Sequence, residues 1–137
     1  MLVRNVVRKL KGIDMSVNKN YYVIVGYDLT SCKTDKYEDW KWTDEGEDLL
    51  SNQVKGKIQL FDDPMYGNYL YIGHIFATGD EYEFDTAKIS IGDISSTNIR
   101  SNVNHKVNKL IEKGIIDCSS CFQKPLEYKI IIFEECC

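Results

Sequence analysis

Gly56-Lys-Ile-Gln-Leu-Phe61, Asp62-Asp-Pro-Met-Tyr-Gly-Asn68, Tyr69-Leu-Tyr-Ile-Gly-His-Ile-Phe-Ala77, Gly79-Asp-Glu81 and Tyr82-Glu-Phe-Asp-Thr-Ala-Lys-Ile-Ser-Ile91 follow one another through the middle of the chain. Segments rich in β-branched and aromatic residues alternate there with clusters of Asp, Pro, Gly and Asn, the pattern of strands punctuated by turns. It predicts an antiparallel β-meander over 56–91, three strands in sequence. Two further strands are expected outside it. Tyr21–Leu29 is apolar on both faces, which predicts a central strand buried on two sides. Glu127–Glu134 carries an apolar run that predicts a closing strand inside the sheet.

The rest of the chain reads as helical cover. Leu2, Val3, Val6, Val7, Leu10 and Ile13 recur at helical spacing, with Arg4, Arg8, Lys9 and Lys11 off the stripe. That predicts a short basic amphipathic helix. Packing on its own sheet is the simpler role for it, docking on a membrane or partner the sharper one. Met15 is an alternative start that would make 1–14 dispensable. Thr30–Asp35 reads as a turn, and Cys118–Pro125 as a loop. Asp35–Leu50 is expected to form two short helical pieces, because Gly46 weakens a continuous helix while Thr43 is placed to N-cap a second one. Ser95-Ser-Thr-Asn98 offers N-caps for a helix with Ile99, Val103, Val107, Leu110 and Ile111 on one face, ending at Gly114. The expected architecture is one α+β domain over 1–137, with about five mostly antiparallel strands and helices on one face.

With 137 residues the chain is long enough to bury a real core. No run approaches the ~18 apolar residues of a membrane span. The first twelve residues lack the continuous apolar region of a secretory signal. A cytoplasmic location follows as the expectation, with the five cysteines reduced. The net charge of −4 is unevenly spread: residues 1–20 are basic, 21–97 strongly acidic, and 98–137 near neutral. An acidic body repels nucleic acid phosphates and favours a basic partner. Ile, Lys, Asn and Tyr make up about a third of the chain, a bias of AT-rich coding that points to a low-GC bacterium or its phage.

Asp35–Leu50 holds both tryptophans among seven acids and two lysines. Carboxylates spaced along a surface imitate a phosphate backbone, and aromatic rings among them supply anchors for a protein partner. The expected partner-binding residues are Tyr37, Glu38, Asp39, Trp40, Trp42, Asp44, Glu45, Glu47 and Asp48. The competing reading makes the aromatics core and the acids a solvated face. Asp62, Asp63, Asp80, Glu81, Glu83 and Asp85 would extend the acidic surface if the sheet twists them towards it, although Asp-Asp-Pro is also ordinary turn chemistry.

Cys118, Cys121, Cys136 and Cys137 are weak zinc candidates, since an adjacent pair suits tetrahedral coordination poorly; Cys32 reads as a small buried hydrophobe. Tyr66, Tyr69, Tyr71 and Tyr82 lie beside expected turns, where they would stack a nucleotide or simply pack. His74 and His105 have no partner placed by any motif. The helix lysines from Arg100 to Lys113 read as a solvated face before a phosphate-binding one. Nucleophile elbow, phosphate loop, dinucleotide fingerprint and metalloprotease helix are all missing. The expectation is a binding protein without catalysis or cofactor, an inhibitor of the anti-defence (anti-CRISPR) kind that masks a basic nucleic-acid-binding site on a partner. Nucleotide sequestration and a zinc-dependent C-terminal domain are the alternatives.

Overall fold

The computed structural model describes residues 19–51, 54–63, 67–80, 88–117 and 126–136. Four strands form one antiparallel sheet: β1 (Lys19–Asp28), β2 (Ile58–Asp62), β3 (Leu70–Asp80) and β4 (Lys129–Cys136), in the order β2-β3-β1-β4. Among the described residues four helices accompany them, α1 (Tyr37–Trp40), α2 (Asp44–Leu50), α3 (Ile91–Ile94) and α4 (Thr97–Glu112). The chain is an α+β protein.

The sheet is not a meander. Among the described strands only β2 and β3 pair as consecutive ones, and β1 lies between β3 and β4. The expected third meander strand is not present among the described residues: 81–87 fall outside them, and Ile91–Ile94 turns helically beneath Ser90, whose Oγ accepts from the Gly92 N–H at 3.2 Å. The closing strand also differs from expectation. β4 is an edge strand, with Ile130 48% and Ile132 74% exposed, so its apolar run does not mark an interior position. β1 takes the centre, with Tyr22, Ile24, Val25 and Tyr27 all buried, because its apolar residues serve both faces. The amphipathic segment 2–13 and Met15 lie outside the described residues.

Two clusters divide the core. The first joins Tyr27, Leu60, Leu70 and Ile72 of the sheet to Val103, Val107 and Leu110 of α4 and to Tyr37 and Trp40 of α1. α4 is capped as its sequence suggests: Ser96 Oγ accepts from the Ile99 N–H at 3.3 Å, and Gly114 follows its end at φ +75°. Ile99 is half-buried and Ile111 exposed, so the buried stripe is narrower than the apolar one.

The second cluster is Tyr22, Ile24, Phe61 and Ile75, with Tyr69, Tyr71, Ile131 and Phe133 packed against it. Phe61 on β2 and Phe133 on β4 have ring centroids 5.0 Å apart. These are the two edge strands, which a flat sheet would hold about 14 Å apart at three strand spacings. The sheet therefore curls over this face until its own aromatic side chains cover one another. A register shift between Val23 and Ile24 adds local twist. Gly26 and Gly73 stand opposite each other in the β1–β3 ladder on the same face. A Cβ on Gly26 would lie 1.9 Å from the Ile72 carbonyl oxygen, so the two backbones approach closer than any side chain permits.

Glu135 lies on the curled face and is 9% exposed, accepting a hydrogen bond from the Tyr69 hydroxyl at 3.3 Å. Burial pushes its carboxyl above the ordinary value, the Tyr69 bond opposes the shift, and Asp63 and Asp62 add to it. A folded-state pKa above the unfolded one means that stability is highest below both values and falls as pH rises through them. Glu135→Gln keeps an acceptor for Tyr69 and removes the charge. We expect it to raise the melting temperature at neutral pH, with the gain fading towards pH 4. A gain independent of pH in thermal melts would contradict this account.

Candidate protein-binding surface

Residues 35–50 do form two helical pieces. Thr43 caps α2, its Oγ1 accepting from the Gly46 N–H at 3.2 Å, and Asp44, Glu45 and Glu47 occupy the first turn, where the helix dipole favours them. Gly46 has a tertiary reason to be there: a Cβ would lie 2.4 Å from the Trp40 carbonyl oxygen, so glycine lets α2 fold tightly back on α1.

The aromatics divide. Tyr37 is fully buried and Trp40 is 7% exposed, their rings 5.9 Å apart in the first core cluster, so they belong to the packing and not to a docking surface. Trp42, two residues on, is 73% exposed, with the Lys41 ammonium 5.5 Å from its ring centroid. Glu38, Asp39, Asp44, Glu45, Glu47 and Asp48 are all exposed. Two of these six are engaged within the molecule: Glu38 pairs with Lys41 at 2.9 Å, and Glu45 bonds Lys113 at the end of α4. Asp39, Asp44, Glu47 and Asp48 have no cation within 4 Å among the described residues.

What holds this platform is a residue that sequence reading assigned to a turn. Asp62, the last residue of β2, accepts from the buried Tyr37 hydroxyl at 2.9 Å and from Lys33 Nζ at 3.1 Å, with Lys41 Nζ at 3.7 Å. The twist of the sheet does bring Asp62 towards 35–48, but its charge is consumed by two lysines and a phenol and adds nothing to an acidic surface. Burial, and secondarily Asp62, push the Tyr37 phenol far above its ordinary value, so it stays a hydrogen-bond donor. Lys33 and Lys41 also lie 4.8 and 5.9 Å from the Tyr37 ring centroid. No sequence spacing ties Asp62 to Tyr37, so nothing local could have revealed the contact. Glu135 was missed as well: the run Ile130–Phe133 puts apolar residues on both faces of β4, so alternation alone does not say that the face of Ile131, Phe133 and Glu135 is the buried one.

The other candidates are placed as follows. Tyr69 and Tyr71 stack on each other at 4.8 Å and both meet Phe133, so their faces are occupied by packing; Tyr66 and Tyr82 lie outside the described residues. Cys32 is buried at 1% exposure in the first cluster. Cys118, Cys121 and Cys137 lie outside the described residues and Cys136 ends β4; among the described residues no group of three metal-binding side chains converges. Asp63 accepts from the Asn68 N–H at 3.0 Å in the β2–β3 turn. Glu81, Glu83 and Asp85 are outside the described residues. No described helix is long and apolar enough to cross a membrane.

Fold and surface together define an α+β protein that presents an exposed tryptophan amid carboxylates. No protein-family model, curated protein or solved structure matches the chain.

Proposed function

We propose that this is a non-catalytic cytoplasmic binding protein whose acidic platform around Trp42 docks on a basic, nucleic-acid-binding site of a partner protein and masks it. The observation that supports this reading is Trp42 itself, 73% exposed among unpaired carboxylates on a frame fastened to the sheet through Tyr37 and Asp62. Exposing an indole to water is unfavourable unless something covers it, and tryptophan is among the side chains most often found as interface anchors. Asp39, Asp44 and Glu47 around it supply the complementarity that steers association with a basic surface. Inhibition then needs only occupancy: the partner's cations are screened from phosphates and the site is sterically blocked. The partner-contacting set narrows to Trp42 with Glu38, Asp39, Asp44, Glu45, Glu47 and Asp48. The acidic middle of the chain and its AT-rich coding suit a phage or mobile-element inhibitor of a host defence enzyme. Direct binding to nucleic acid or membrane forms no part of the proposal.

The test is affinity capture from nuclease-treated lysate of a low-GC bacterium, with wild type beside Trp42→Ala and beside Asp39→Lys/Asp44→Lys/Glu47→Lys. Wild type is expected to retain a nucleic-acid-binding protein at low salt and lose it at high salt. Trp42→Ala alone should weaken that complex about thirtyfold, the ~2 kcal/mol of an interface anchor. Equal retention by both variants would remove the platform from the function.

A further inference from the structure

A second region adjoins the platform at Glu45 and Asp48. One side of α2, the start of β2, the middle of β3 and one face of α4 line an open cleft of about 760 Å³. That size suits a small organic ligand. Its lining is chemically divided. Leu49, Ile58 and Ile99, each half-buried, supply apolar surface, while Lys57, Lys106 and Lys109 supply three ammonium groups. None of these lysines has a carboxylate within 4 Å among the described residues, whereas Lys33, Lys41 and Lys113 are each paired with one. Both histidines of the chain, His74 and His105, also face the cleft. Two carboxylates line it: Glu45 is engaged by Lys113, which leaves Asp48 as the unpaired one.

Three lysines against one uncompensated carboxylate leave these side chains with a local charge of about +2. This occurs in a protein whose net charge is −4. Burial lowers the His74 pKa below its ordinary value, so near pH 7 that imidazole enters the cleft as a neutral donor and acceptor. A dianion with an apolar body matches both halves of the lining. We infer that this cleft binds a small organic phosphate, its phosphoryl group held by Lys57, Lys106 and Lys109 and its apolar or aromatic part laid against Leu49, Ile58 and Ile99. The cleft shares Glu45 and Asp48 with the platform, but Trp42, Asp39, Asp44 and Glu47, the residues varied to test the platform, do not line it, so either reading can fail without the other.

Having only two histidines, both at the site, makes the test direct. Phenyl phosphate is titrated into the full-length protein while the two imidazoles are followed by NMR, with His105→Gln assigning the signals. Both resonances are expected to move saturably with phenyl phosphate, and at least about tenfold higher concentrations of inorganic phosphate or of phenol should be needed, since each engages half of the lining. Lys106→Gln/Lys109→Gln, at exposed helix positions where the fold is retained, should weaken phenyl phosphate by a similar factor. Static imidazole signals would overturn the inference. So would a response equal for phenol and phenyl phosphate, or one unchanged in the lysine variant.

Discussion

Gly26→Ala is expected to cost at least about 3 kcal/mol of folding stability, roughly a ten-degree fall in melting temperature for a domain of this length. The new methyl would sit 1.9 Å from the Ile72 carbonyl oxygen and 2.6 Å from the Gly73 Cα. Both are backbone atoms of β3, so no side-chain rotation relieves the overlap. Relief requires β1 and β3 to separate where they pair Gly26 with Gly73, and that separation flattens the curl. Flattening in turn pulls Phe61 away from Phe133 and exposes the aromatic cluster that the curl encloses. Gly92→Ala is the matched control: the nearest heavy atom there is the Ser90 Oγ at 3.5 Å, so ordinary contact results. Thermal and urea unfolding of the two variants decide the matter. Similar small losses in both would mean that the close approach of β1 and β3 has no part in shaping the sheet.

Asp62→Ala is the second large effect. Its carboxylate is 12% exposed and is the one described acceptor for the buried Tyr37 hydroxyl, besides neutralising Lys33 and Lys41. Removing it orphans a phenolic donor and the Lys33 ammonium, while Lys41 keeps its pair with Glu38. The lysines are about a quarter exposed and regain water, which discounts the loss of a fully buried pair to about 2–3 kcal/mol. Adding Tyr37→Phe to Asp62→Ala should recover part of that cost, because the phenol no longer lacks a partner; a coupling of about 1 kcal/mol in the double-mutant cycle is expected. The same variant should loosen α1 and therefore weaken any complex made through Trp42, even though Asp62 touches no partner. A loss below about 0.5 kcal/mol would place Asp62 among ordinary surface charges. This is also the contact that separates the two readings of residues 35–50. Tyr37 and Trp40 are core, as the competing reading had it, while Trp42 stands clear of the core.

The local chemistry of the chain set its elements. Thr43 and Ser96 cap helices because their hydroxyls reach an amide three residues on, an interaction complete within one turn. Gly114 ends α4 because it accepts a positive φ, and β1 is central because its apolar residues fall on both faces. These facts follow from neighbours within a few residues and can be read from spacing. Strand order, edge exposure and charge pairing depend on residues distant along the chain. The insertion of β1 between β3 and β4, the exposed Ile130 and Ile132 of the edge strand, and the enclosure of Phe61 by Phe133 all arise from how the sheet twists and closes. Burial sorted Tyr37 and Trp40 from Trp42, although all three read alike as aromatic residues among acids. Tertiary structure alone also turned Asp62 from a turn acid into the anchor of the platform, and gathered Lys57, His74 and His105 from three separate elements into one cleft.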